Sequence, residues 1–110
     1  LESVRSMVGY IQQRYAEKIT LEDIAEAGMV CRSACCTIFR EYLGKTPIEY
    51  LNEYRISKST DMLRESRENI THIASACGFS NSSYFTETFV KLMKCTPRDY
   101  RSKANAQEEN

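Results

Sequence analysis

Glycine and proline are scarce in this 110-residue chain, four and two respectively, and the apolar/polar alternation of strands is missing. That excludes a turn-rich β architecture and leaves helices. No run of about 18 apolar residues occurs, so no segment is expected to span a bilayer. A basic-then-apolar secretory pattern is also lacking at the N-terminus. The chain starts at Leu1, inside what already reads as a helix, so the expectation is a piece of a longer, cytoplasmic protein. Net charge is zero, from 15 basic and 15 acidic residues, which removes the simple electrostatic argument for nucleic acid. The single histidine, His72, and the lack of any CxxC pair leave Cys31 and Cys35 without further zinc ligands. No metal or cofactor is expected. Five cysteines, an odd count without a secretory signal, read as free thiols in a reducing compartment.

An enzyme would need a nucleophile beside a base. Cys77 and His72 are five residues apart, which does not put them on one helical stripe. No phosphate loop or paired-carboxylate constellation is present. The reading is of a non-enzyme.

What is present is helical spacing with clear punctuation. Val4, Met7 or Val8, Ile11 and Tyr15 form one apolar stripe. Thr20-Leu21-Glu22-Asp23 is a capping-box-like start for a short helix ending near Ala27, with Gly28 available for a left-handed turn. A second helix is expected over about 32–43, stopping at Gly44. Thr46-Pro47-Ile48-Glu49 combines a Thr cap, a first-position Pro and a capping-box Glu, opening a long helix over about 47–65. Asn69 caps a helix over about 70–77, Ser80 opens another to about Lys94, and Thr96-Pro97-Arg98-Asp99 starts a final short one. Residues 102–110 are polar and are expected to form a flexible tail.

The chain repeats itself. Ile24-Ala25-x-Ala27 matches Ile73-Ala74-x-Ala76 at an offset of 49, and Phe39, Thr46-Pro47 and Tyr50 match Phe89, Thr96-Pro97 and Tyr100 at an offset of 50. Each copy is a short helix, a tight turn and a longer helix. Small alanines allow close approach, and an apolar residue pins the corner after the turn. That is the pattern of a helix-turn-helix, whose second helix can enter the DNA major groove. The neutral total hides two basic segments: residues 28–46 carry a net +2 and residues 80–103 a net +3, against −3 for residues 17–27.

The run from Ile73-Ala74-Ser75-Ala76-Cys77-Gly78-Phe79-Ser80-Asn81 through Tyr84-Phe85-Thr86-Glu87-Thr88-Phe89, followed by Thr96-Pro97-Arg98-Asp99-Tyr100-Arg101, resembles the AraC/XylS-type bacterial transcription regulators. The first copy, from Ile24-Ala25-Glu26-Ala27 to Gly44-Lys45-Thr46-Pro47, resembles them more loosely. The resemblance implies an all-α, seven-helix DNA-binding domain over 1–101. It would hold two helix-turn-helix units, about 20–44 and 70–94, joined by the long linker helix. It further implies binding to double-stranded promoter DNA, with both second helices in the major groove, and an effector or dimerisation domain N-terminal to this module. RNA polymerase is the expected second partner if the regulator is an activator. The competing reading is a helical protein-interaction module that has lost DNA affinity.

Phe85 and Phe89 mark the buried face of the second reading helix, and Cys35 and Phe39 that of the first. Outward positions are then Arg32, Ser33, Cys36 and Thr37 in one helix, and Ser82, Ser83, Thr86 and Glu87, with Asn81 at its start, in the other. The resemblance puts base-reading residues at these positions. Arg40, Lys91 and Lys94 lie further along and are expected on the phosphate backbone. Tyr50 and Tyr100 read as packing residues rather than base stackers, and three departures from the usual pattern, Cys31, Cys35 and Cys36, fall in the first reading helix.

Overall fold

A computed structural model describes residues 1–108. Among the described residues there are seven helices and no strand: α1 (Glu2–Arg14), α2 (Leu21–Ala27), α3 (Arg32–Leu43), α4 (Pro47–Glu65), α5 (Ile70–Ala76), α6 (Ser82–Met93) and α7 (Pro97–Glu108).

Side chains that satisfy the orphan backbone donors set the helix starts. Thr20 Oγ1 accepts from the Asp23 N–H at 3.1 Å and Asp23 Oδ2 accepts from the Thr20 N–H at 3.0 Å, a complete capping box. Thr46 and Glu49 repeat it at 3.1 and 3.2 Å, launching the 19-residue α4. Asn69 caps α5 by accepting from the His72 N–H at 2.7 Å. In α6 the cap is Asn81, one residue beyond the expected Ser80; its Oδ1 accepts from the Tyr84 N–H at 2.8 Å. An amide oxygen on an extended residue reaches that donor well.

The helices form two compact units, Leu1–Tyr54 and the part from Arg55 onward. In the first, Met7 and Ile11 of α1 pack with Ile24 of α2, Cys35 and Phe39 of α3 and Leu51 of α4. In the second, Ile56 and Leu63 of α4 pack with Ile73 of α5, Phe79 of the turn, and Phe85 and Phe89 of α6. The repeat is legible in the packing. Tyr50 stacks edge-on to Phe39 at 5.9 Å, and Tyr100 does the same to Phe89 at 5.8 Å.

Two expectations change here. The left-handed residue after α2 is Met29, with φ 57°, not Gly28, whose φ is −94°. Gly28 serves a different purpose: a Cβ there would lie 2.6 Å from Cγ and 2.8 Å from Sδ of the buried Met7. Close approach of α1 requires the glycine, and the turn takes the strain at the next residue. In the second unit Gly78 occupies the left-handed position with φ 94°. Both turns close alike, Val30 N–H donating to Ala25 O at 3.1 Å and Phe79 N–H to Ala74 O at 3.0 Å. The second change is at the end: 102–108 continue α7 instead of forming a flexible tail. No glycine or proline interrupts Lys103, Ala104, Ala106 and Gln107, all good helix formers that extend a started helix cheaply. Residues 109 and 110 of the expected tail lie outside the described residues.

Candidate nucleic-acid interface

The second helices of the two units, α3 and α6, each bury one stripe and expose another. In α3, Cys35 and Phe39 are fully buried while Arg32, Ser33, Thr37, Arg40 and Glu41 are exposed. In α6, Phe85 and Phe89 are fully buried while Ser83, Glu87, Val90 and Lys91 are exposed. Ser33 and Thr37 correspond to Ser83 and Glu87 at the repeat offset of 50, so the outer stripe occupies the same positions in both units. Cys36, Ser82 and Thr86, which spacing placed with the outward set, are half-buried at the flanks of their helices.

Two of the sequence-derived residues already have protein partners. Arg32 Nη1 lies 3.4 Å from Glu22 Oε1 of α2, and both side chains stay well exposed, 66% and 60%. Asn81 spends its amide oxygen on the α6 cap and keeps its NH2 group for other acceptors. Arg40, Lys91 and Lys94 are exposed, Lys94 in a left-handed conformation that ends α6.

The second basic segment contributes less free charge than its sequence suggests. Arg101 donates from Nε to Leu63 O at 3.1 Å and from Nη2 to Ser66 O at 3.3 Å, satisfying carbonyls at the end of α4. Spacing within α7 carries no signal for this, because the partners are 35 and 38 residues away. Arg55 was likewise missed: it is 8% exposed, with its guanidinium 5.8 Å from the Phe79 ring centroid, and burial lowers its pKa. It supports the corner of the second turn. Tyr84, on the first turn of α6, is also partly exposed and stacks on Phe79 at 5.7 Å. An aromatic there, where the first copy has Ala34, was the available signal.

The groups weighed for catalysis are set to other work. Cys77 is fully buried, its thiol pushed up to about 11 by burial, and it lies 3.6 Å from Met62 Sδ. Such a thiol is inert. His72 is exposed and lies 3.7 Å from Glu68 one turn earlier. Cys35 is buried and also pushed up to about 11, by burial first and the neighbouring Cys36 second. All five cysteines are free. Among the described residues no group of three or more His, Cys, Asp or Glu could hold a metal ion, and no helix is long and apolar enough to cross a membrane.

Two tight helical hairpins, each presenting the outer stripe of its second helix, define a DNA-binding domain of the helix-turn-helix class. The chain matches the family model described as a helix-turn-helix domain over residues 24–103, and it belongs to that family, in its AraC-type branch. It is 43% identical over 98 residues to YdeC of Bacillus subtilis (strain 168), named as an uncharacterized HTH-type transcriptional regulator; the match covers 89% of this chain and 34% of YdeC. It is 31% identical over 108 residues to the HTH-type transcriptional activator RhaS of Pectobacterium carotovorum, covering 98% of this chain and 39% of RhaS. A crystal structure of a transcriptional regulator with an AraC-type DNA-binding domain, from Chromobacterium violaceum, superposes with a TM-score of 0.86 at 28% identity. That match covers 93% of this chain and 91% of the other. The chain spans little more than a third of the length of the curated relatives. It is a DNA-binding domain of the AraC type, the kind that these bacterial transcription regulators carry.

Proposed function

We propose that α3 and α6 are the two reading helices, each entering the major groove of one asymmetric promoter site. The observation that carries this is the repeated outer stripe, in which Ser33 and Thr37 of α3 stand where Ser83 and Glu87 stand in α6. Three of these four matched positions carry short hydroxyl side chains, which can reach base edges or phosphates. Arg32 suits a bidentate contact to guanine, and Glu87 can accept from cytosine N4, each worth about 1–3 kcal/mol of discrimination. Ser82, Thr86 and Cys36 reach bases only from the helix flanks, and Asn81 only through its NH2 group. Arg40, Lys91 and Lys94 bind phosphates without sequence choice. Because two readers are on one chain, a single copy binds without a symmetric partner. The domain acts by binding, without turnover, in the cytoplasm of a bacterium. In the whole regulator, an N-terminal effector or dimerisation domain and contact with RNA polymerase complete the activity.

Selection of bound sequences from a random duplex pool tests this. The expected product is a long, non-palindromic site. Arg32→Ala and Ser83→Ala then relax the preference at one or two positions each. Lys91→Ala weakens all sequences alike and flattens the dependence on salt. If both Arg32→Ala and Ser83→Ala leave the preferred sequence and the affinity untouched, the assignment of the reading helices is wrong. Absence of salt-dependent retention on heparin and random duplex DNA would favour the interaction module instead.

A further inference from the structure

Arg32 has a partner that its counterpart lacks. At the repeat offsets, Arg32 corresponds to Ser82 and Glu22 to Thr71, so the second unit has no ion pair at the matching positions of its corner. Glu22 reaches the guanidinium through one nitrogen, Nη1, at 3.4 Å. A guanidinium carries five N–H donors in a planar fork, so this contact leaves the Nε–Nη2 edge open. That edge is the one suited to two acceptors side by side, as guanine O6 and N7 present them. Arg32 is also the first residue of α3, where the positive end of the helix disfavours a cation, and the Glu22 carboxylate offsets this. Glu26 lines the same α2–α3 groove and makes no ion pair with Arg32 among the described residues.

We propose that Glu22 is a positioning residue that sets the specificity of the first reading helix. Its carboxylate holds one nitrogen of Arg32 and so aims the free edge of the guanidinium at a guanine. This rests on the reading of Arg32 as a base contact. Holding the side chain in advance removes part of the rotamer entropy that a long arginine loses on binding. An exposed pair contributes modestly, so the effect belongs in discrimination at one base rather than in overall affinity.

The test is a set of binding titrations on the selected duplex and on duplexes carrying each other base at the position whose preference Arg32→Ala abolishes. Glu22→Gln is expected to reduce discrimination at that position about two- to fivefold and to leave the other positions unchanged. In the Arg32→Ala background the same substitution is expected to change no discrimination. Glu26→Gln removes an equal charge from the same groove, and is expected to leave discrimination intact while tightening all sequences slightly. If Glu22→Gln behaves as Glu26→Gln does, or acts equally with and without Arg32, then Glu22 is only a background charge and the proposal fails while Arg32 keeps its role. If Arg32→Ala abolishes no preference at any position, the base contact itself is wrong and the proposal falls with it.

Discussion

Met29 holds φ 57° with its side chain 93% exposed, so it bears the left-handed strain and packs almost nothing in return. Met29→Gly is therefore expected to raise stability by about 1 kcal/mol, read from chemical denaturation. The neighbouring Gly28→Ala is expected to lower it, because the new Cβ meets the middle of the buried Met7 side chain. The two buried thiols make a second residue-scale prediction. Burial raises Cys35 and Cys77 from the ordinary 9.0 to about 11, so folding favours the neutral thiol. Their contribution is fully present below about pH 9 and is lost as pH rises through about 11. Unfolding free energy measured from pH 8 to 11 is expected to fall more steeply in the wild type than in Cys35→Ala/Cys77→Ala. Equal slopes would show that the tyrosines and lysines account for the whole decline.

Caps control the individual helices. Thr46 closes a reciprocal box at the start of α4, the helix that supplies Leu51 to one core and Ile56 and Leu63 to the other. Thr46→Ala is expected to cost about 1 kcal/mol in equilibrium unfolding, and Thr46→Ser to restore most of it. Asn81 caps α6, and in the proposed reading it also stands at the end of that helix that faces DNA. Asn81→Ala is expected to lower stability by about 1 kcal/mol, while Asn81→Ser keeps the cap. Comparing the DNA affinity of Asn81→Ser with that of the wild type then isolates what the free NH2 group adds. The starts of α2, α4 and α5 were readable in the sequence because a cap is settled within about three residues of chain. The start of α6 was misplaced by one residue because Ser80 and Asn81 are both competent caps, and only the backbone direction leaving the Phe79 corner chooses between them.

Each unit of the molecule depends on its own aromatic centre. Phe39 and Phe89 are fully buried, one in each core, each against its repeated tyrosine. Phe39→Ala and Phe89→Ala are each expected to cost about 3–5 kcal/mol. Amide exchange should show the largest loss of protection within residues 1–54 for the first and from Arg55 onward for the second. Uniform loss throughout the chain in both variants would mean that the two cores unfold as one.

The all-α class, the repeat, both helical hairpins and their buried phenylalanines followed from the sequence. Periodicity, caps and small-residue patterns act between neighbours and need no knowledge of the rest of the chain. The outer stripes followed from the same periodicity, which is why Ser33, Thr37, Ser83 and Glu87 came out exposed. Tertiary structure alone decided which residue takes the left-handed turn, since the close approach of Met7 to Gly28 involves a helix 21 residues away in sequence. It also decided which charges are committed elsewhere. Arg101 reaches Leu63 and Ser66, Arg55 lies against Phe79, and Glu22 holds Arg32 across the corner. Long, flexible cationic side chains choose partners by distance in space, and folding brings those partners within reach.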